Sequence, residues 1–202
     1  MLQDRSFPWK VICVTDGNAD GQGKIRTKQL SDALEKMGVS DFEQWDLPDT
    51  YEDRLDIELI CSKLSKLEMP LKVYTHGVLG EYGHPHHQDV SYAVNKFYHN
   101  RCEVFNISYN CYPDQVIELT QDEFNQKAHI LSQIYGSEIN RFAHLVPGTF
   151  SEGFAKVEFA EIEHIYQHFT QSSKVVANQL KKYSWLIDHL NYFTGTDHRR
   201  IF

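Results

Sequence analysis

The chain has little that would tie it to an oxidising compartment, a membrane or a polyanion. It carries only four cysteines in 202 residues, and none forms a C-x-x-C pair, which excludes a zinc knuckle and a dithiol redox motif. Cys13 and Cys102 lie in apolar strand-like runs, Cys61 on a helix face and Cys111 in a turn-like setting. They read as small hydrophobes in a reducing compartment rather than catalytic thiols. No apolar run approaches the roughly 20 residues that a membrane span needs. The N-terminal M-L-Q-D-R-S-F-P-W-K lacks the apolar core of a signal peptide, so a soluble cytoplasmic protein is expected. Positive charge is scarce: 20 Lys and Arg face 28 Asp and Glu, for a formal net charge of -8. That excludes a broad electrostatic footprint for nucleic acid, though not a local basic pocket for a phosphate. Internal repeats and low-complexity segments are absent as well.

What remains is 41% hydrophobic, enough for one sizeable core and a modest appendage. Lys10 to Thr15 reads as a buried strand entering the polar loop that starts at Asp16-Gly17. A helix follows, with Ile25, Leu30, Ala33, Leu34 and Met37 on one face and Gly38 just past its end. Phe42 to Leu47 is a second strand. Ile57, Ile60, Cys61, Leu64 and Leu67 mark a second helix, and Leu71 to Thr75 a third strand. Val90, Ala93, Val94 and Phe97 give a third helix, and Cys102 to Tyr109 a fourth strand. This alternation predicts an α/β fold with a mostly parallel, Rossmann-like sheet and helices on both faces. The loops after Thr15, Leu47 and Thr75 leave strands at their carboxyl ends, where such folds bind ligands. Beyond them, a short strand at 115–120, a helix at 121–135 and a loop at 139–157 around Pro147-Gly148 are expected. Two terminal helices follow, one through Ile162, Ile165, Tyr166 and Phe169, the other through Leu180, Tyr183, Leu186, Ile187 and Leu190. Asp197, His198, Arg199 and Arg200 read as a solvated tail without a chemical role.

The stretch T-H-G-V-L-G-E-Y-G-H-P-H-H-Q-D, Thr75 to Asp89, concentrates the chemistry. It sets His84, His86 and His87 around Pro85, straight after a glycine-rich turn. Imidazole is the commonest protein ligand for zinc-like metals and a proton carrier near neutral pH. His84 and His87, three apart at a helix start with Pro85 in the first turn, can share one face. A surface histidine cluster that binds nothing is the rival reading. Tyr82 can donate a hydrogen bond to a developing oxyanion. Asp16 and Asp49 follow strands and can accept from a ligand hydroxyl, or else make an Asx turn and a helix cap. Arg26 opens the first helix, placed to meet a phosphate or carboxylate, or simply solvated.

These residues resemble the LmbE-like, or PIG-L-type, zinc-dependent N-deacetylases. The matching pieces are V-T-D-G at Val14 to Gly17, Arg26, L-P-D at Leu47 to Asp49 and the histidine loop at Thr75 to His87, with weaker matches at Tyr135 to Glu138 and Glu152 to Phe154. The resemblance spans about residues 10 to 155. It implies a hydrolase that removes the acetyl group from an N-acetylated amino sugar or its conjugate. It also implies a Zn2+ cofactor held by His87, with His84 stabilising the tetrahedral intermediate or protonating the leaving amine and Tyr82 beside them. Arg26 and Asp49, with Asp16, then fall at substrate-binding positions. The domain expected is residues 1–157, with 158–202 a helical C-terminal extension of it. The partner is a small-molecule amino-sugar substrate, with no nucleic acid and no membrane span; a homo-oligomer is open.

Two departures stand out. The family commonly has Asp where this chain has His86, which removes a carboxylate able to orient His84. The family also opens with a strand ending in A-H-P-D-D, which supplies a histidine and an aspartate to the metal and the general base. No H-P-D-D occurs in this sequence. The first family strand, two of three expected ligands and the base are thus missing, and loss of the base removes roughly 10²–10⁴-fold of rate. The expectation is a truncated or late-start form of an active enzyme. Two rivals are kept: an inactive sugar-binding or assembly module that retains the cleft, and a metal-binding protein using His76, His84, His86 and His87 alone.

Overall fold

Strand, polar loop and helix recur from Lys10 onward in the computed structural model, which describes residues 6–50, 53–142, 149–171 and 173–187. The elements run β1 (Lys10–Thr15), α1 (Gly23–Met37), β2 (Asp41–Leu47), α2 (Ile57–Leu64), β3 (Lys72–Thr75), α3 (Pro85–Tyr98), β4 (Glu103–Ile107) and β5 (Gln115–Glu118). They continue through α4 (Gln121–His129), a π-helical turn (Ile130–Ile134), α5 (Gly136–Phe142), β6 (Ser151–Ala155) and α6 (Phe159–Gln171) to two 3-10 turns (Ala177–Gln179 and Ser184–Leu186). One sheet pairs β1 with β2; the other has the order β3-β4-β6-β5. The α/β alternation is as the sequence predicts. The pairs β1–β2 and β3–β4 are parallel, and β6 joins β4 antiparallel, Asn106 opposite Ala155. Contacts divide the chain into two compact units, 1–53 with 116–152 (unit 1) and 54–115 with 153–202 (unit 2).

In unit 1, β1 and β2 align Lys10 with Asp41, whose charges meet at 2.8 Å. Helix α1 closes on Gly38, left-handed at φ 67°, whose N–H donates to Glu35 and Leu34 carbonyls; only glycine adopts that region without steric cost. Helix α4 starts from a full capping box, Thr120 and Glu123 bonding reciprocally. Burial corrects one expectation for α1. Ile25 is 52% exposed, and the inward positions are Gln29, Ala33 and Leu34. The Gln29 amide donates to the Ile134 carbonyl at 2.9 Å and to Ser137 Oγ at 3.1 Å. A polar residue therefore took a place that periodicity alone gave to an apolar one.

In unit 2, Asp56 caps α2 by accepting from Leu59 N–H, and His84 caps α3 with Pro85 in the first turn. The core gathers Val78 and Leu79 from the loop after β3, Ile162 and Ile165 from α6, and Val175, Leu180 and Tyr183 beyond it. The C-terminal segment thus packs against the root of the histidine loop. Asp89, fully buried on α3, accepts from Arg54 at 2.9 Å, Leu55 N–H at 2.9 Å and the Tyr166 hydroxyl at 2.8 Å. One carboxylate so joins α3, the segment before α2, and α6.

Three further expectations are corrected. The loop expected over 139–157 contains the end of α5 and all of β6; its Pro147-Gly148 centre lies outside the described residues. Among the described residues the last helix is replaced by two 3-10 turns, with Leu180 and Tyr183 buried as anchors, while Leu190 and the 197–200 tail lie outside the described residues. Glu161 explains the break: its Oε1 accepts from Lys181 N–H and Tyr183 N–H, both at 2.9 Å, drawing those amides out of helical bonding. The fourth strand is shorter than expected, starting at Glu103 rather than Cys102. All four cysteines are free thiols. No helix among the described residues is long and apolar enough to cross a membrane.

Candidate metal and catalytic site on the histidine loop

The carboxyl end of β3 runs straight into Gly77, whose backbone passes so near β4 that a Cβ there would lie 2.9 Å from the Ile107 carbonyl oxygen. Asn106 on β4 reinforces this junction. Its amide donates to the His76 carbonyl and to Ser91 Oγ, each at 2.9 Å, and Asn106 is itself fully buried. The chain then winds through two tight turns, Gly80 N–H to the Gly77 carbonyl at 2.9 Å and Gly83 N–H to the Gly80 carbonyl at 3.0 Å. Gly80 and Gly83 take φ 71° and 91°, and Glu81 between them is also left-handed at φ 52°. A glutamate held there is strained, and such outliers concentrate at functional sites.

That strain turns the Glu81 side chain back over the start of its own loop. Oε1 accepts from Gly77 N–H at 2.7 Å, and Oε2 lies 2.5 Å from His87 Nδ1. His76 Nδ1 is 3.3 Å from both carboxylate oxygens. The His76 and His87 rings stack at 3.9 Å and 14°. Burial works against the charge on Glu81, but hydrogen bonds from His76 and His87 override it and hold the carboxyl well below the usual range. For His87, burial, aided by the neighbouring His76, keeps the imidazole neutral to lower pH than usual despite Glu81. A charged carboxylate and a neutral imidazole are the protonation states that bind metals.

His84 Nδ1 accepts from His86 N–H at 3.2 Å. The proton of a neutral His84 therefore sits on Nε2. A backbone amide thus fixes the tautomer of His84; His86 itself is buried, its ring edge-on to His84 at 5.5 Å. His84 and His87 stack at 4.6 Å, confirming a shared helix face. Tyr82 meets His84 edge-on at 5.9 Å and His87 at 5.7 Å.

Among the described residues, His76, Glu81 and His87 form one group able to hold a metal ion, with donor atoms all within 4.8 Å of one another. Two imidazoles with one carboxylate is a donor set used by catalytic zinc, which takes three protein ligands and keeps a position open. The residues present fit such an ion. Glu81 escaped the sequence reading, and His76 entered only in the reading built on histidines alone. The signal that could have found both is the spacing H-x4-E-x5-H across a glycine-rich turn.

The remaining predicted residues gather in unit 1. Asp16 Oδ1 accepts from Asn18 N–H and Asp49 N–H, both at 3.0 Å, joining the loops after β1 and β2. Arg26 binds Asp20 through both terminal nitrogens, at 2.8 and 2.7 Å, Glu138 at 3.1 Å and the Gly17 carbonyl at 2.5 Å. The Y-G-S-E stretch is thereby drawn to α1, Ser137 through Gln29 and Glu138 through Arg26, which also binds the first loop.

Residues 1–98 match the family model PIG-L, described as GlcNAc-PI de-N-acetylase. An uncharacterised protein of Acanthamoeba polyphaga mimivirus is 31% identical over 105 residues, covering 43% of this chain. The chain matches about half of that relative's length, 47%. In fold, it is similar to an N,N'-diacetylchitobiose deacetylase from Pyrococcus horikoshii solved with an inhibitor, at TM-score 0.54 and 15% identity over 74% of this chain and 73% of that one.

Proposed function

From the match of residues 1–98 to the PIG-L family model, we propose that this protein is a metal-dependent hydrolase that removes the acetyl group from an N-acetylated amino sugar or its conjugate. The observation that carries the reading is the pairing of His84 and His87 on the first turn of α3, one imidazole oriented by a backbone amide and the other held neutral by burial. His87 is the ligand for the ion, with zinc the expected metal; when bound, it supplies Lewis acidity and an acidified water. His84, with its proton on Nε2 and its Nδ1 accepting from His86 N–H, donates a hydrogen bond from Nε2 to the tetrahedral intermediate. Tyr82 directs a hydroxyl toward charge developing on the acetamide oxygen. Glu81 is the carboxylate nearest the reacting groups. Asp16, Arg26 and Asp49 are assigned to substrate binding, and a cytoplasmic location belongs to the same proposal.

The test is acetate release and free-amine formation from N-acetylglucosamine and diacetylchitobiose by the Zn2+-loaded chain. Activity should appear and fall by roughly 10²–10³-fold in His84→Ala, as expected for loss of a hydrogen-bond donor to the tetrahedral intermediate. A loaded, folded chain that releases no acetate from either sugar overturns the reading.

A further inference from the structure

We propose that His76, Glu81 and His87 together form a self-contained divalent-cation site, built by a single loop of unit 2. The family resemblance places one ligand, His87, on this loop; the geometry supplies two more from the same turn. The inference deepens the proposed function by naming the ligand set, but it stands on metal binding and not on catalysis.

Four observations support it. The three donors converge within 4.8 Å although ten residues separate the two histidines. Zinc bonds of about 2.0–2.1 Å in tetrahedral geometry separate neighbouring donors by roughly 3.3 Å. His76 Nδ1 already stands 3.3 Å from Glu81, and the 2.5 Å contact of His87 needs to open by less than an ångström. Glu81 is fixed independently of the imidazoles by Gly77 N–H, so its position does not depend on the pairs that a cation would replace. Its left-handed backbone, φ 52°, is a local cost that a capping or turn role alone does not require. Finally, the neighbouring imidazoles are committed elsewhere. His84 Nδ1 is used as the cap of α3, and His86 is buried behind it. The reading that uses histidines alone therefore gives way to two histidines and a carboxylate. Capture of a cation exchanges two imidazole–carboxylate hydrogen bonds for coordination, and the stacked rings must tilt from their 14° alignment to aim both lone pairs at one ion.

The experiment is titration of the chelator-treated full chain with Co2+, read by visible absorption. One equivalent should bind, and His76→Ala, Glu81→Gln and His87→Ala should each weaken binding by at least about tenfold, whereas His129→Gln in unit 1 should leave it unchanged. Histidine side-chain NMR of the unmutated protein with Zn2+ guards against unfolded variants: His76 and His87 resonances should shift together. Failure of the unmutated chain to bind, or loss of binding in His87→Ala with His76→Ala and Glu81→Gln unaffected, overturns the site. Metal binding with the expected variant pattern but no acetate release would leave this site standing and sink the deacetylase reading. The reverse result, acetate release insensitive to His76→Ala and Glu81→Gln, would do the opposite.

Discussion

Unit 2 buries a continuous apolar cluster in which Ile165 and Tyr183 are wholly inaccessible. In unit 1, β1 has no fully buried residue, β2 only Leu47 and α4 none. Unit 1 buries fewer apolar side chains, among them Ala33, Leu34, Val39, Leu47 and Ile130, and adds polar devices: the Thr120 capping box, the Asp16 bridge, and the Arg26 cluster with Asp20 and Glu138. Partly exposed ion pairs contribute little net stability, about 0–1 kcal/mol each, whereas a buried aliphatic side chain contributes about 1.5–3 kcal/mol. The difference shows where rigidity is concentrated. The histidine loop, rooted by Val78 and Leu79 in the apolar cluster, is the well-supported feature, and its donors can be held to within the tolerance that metal chemistry needs.

A matched pair of truncations should separate the two units most. Ile165→Ala should cost about 2–5 kcal/mol in denaturant unfolding, while Ile25→Ala, half exposed in unit 1, should stay within about 0.5 kcal/mol. Equal losses would show that burial does not distinguish the units as described.

Titration separates them next. The Glu81 carboxyl is depressed in the folded chain, so its contribution is present above 4.5, the ordinary value, and lost progressively as pH falls below it. Tyr135 in unit 1 is pushed by burial up to about 12 from 10.0. Its contribution is complete below 10.0 and lost as pH rises toward 12. Stability measured with chelator present should therefore lose its acid limb in Glu81→Gln and its alkaline limb in Tyr135→Phe. Unchanged limbs would show that neither group's shift contributes to folding.

The smallest expected effect is in the polar unit. Thr120→Ala removes the acceptor for Glu123 N–H and should cost about 1 kcal/mol, read as faster amide exchange over the first turn of α4. Protection that does not change would remove the capping box from the account of unit 1.

Much of this was legible along the chain. Strand and helix alternation up to β4, His84 and Pro85 opening α3, and Gly38 closing α1 follow from apolar periodicity and cap chemistry, which act over a few residues. Position 25 misled because periodicity sees an isoleucine but not the carbonyl of Ile134 that makes Gln29 the better inward residue. The 139–157 segment misled because β6 draws its order from β4: Ser151–Ala155 has weak strand chemistry of its own, and pairing overrides propensity. The terminal turns depend on Glu161, whose carboxylate reaches amides some twenty residues onward in sequence.

The element order of the first half, the histidine loop, and the two imidazoles that can share a helix face are written in the amino-acid order, because local sterics and spacing suffice for each. It takes the folded chain to turn Glu81 back between His76 and His87, to set an amide against His84, and to hold the loop in place with Asn106 and the Val78–Leu79 root. Those contacts join side chains across left-handed turns, neighbouring strands and a distant helix, and spacing along a chain carries no record of such closures until the chain is folded.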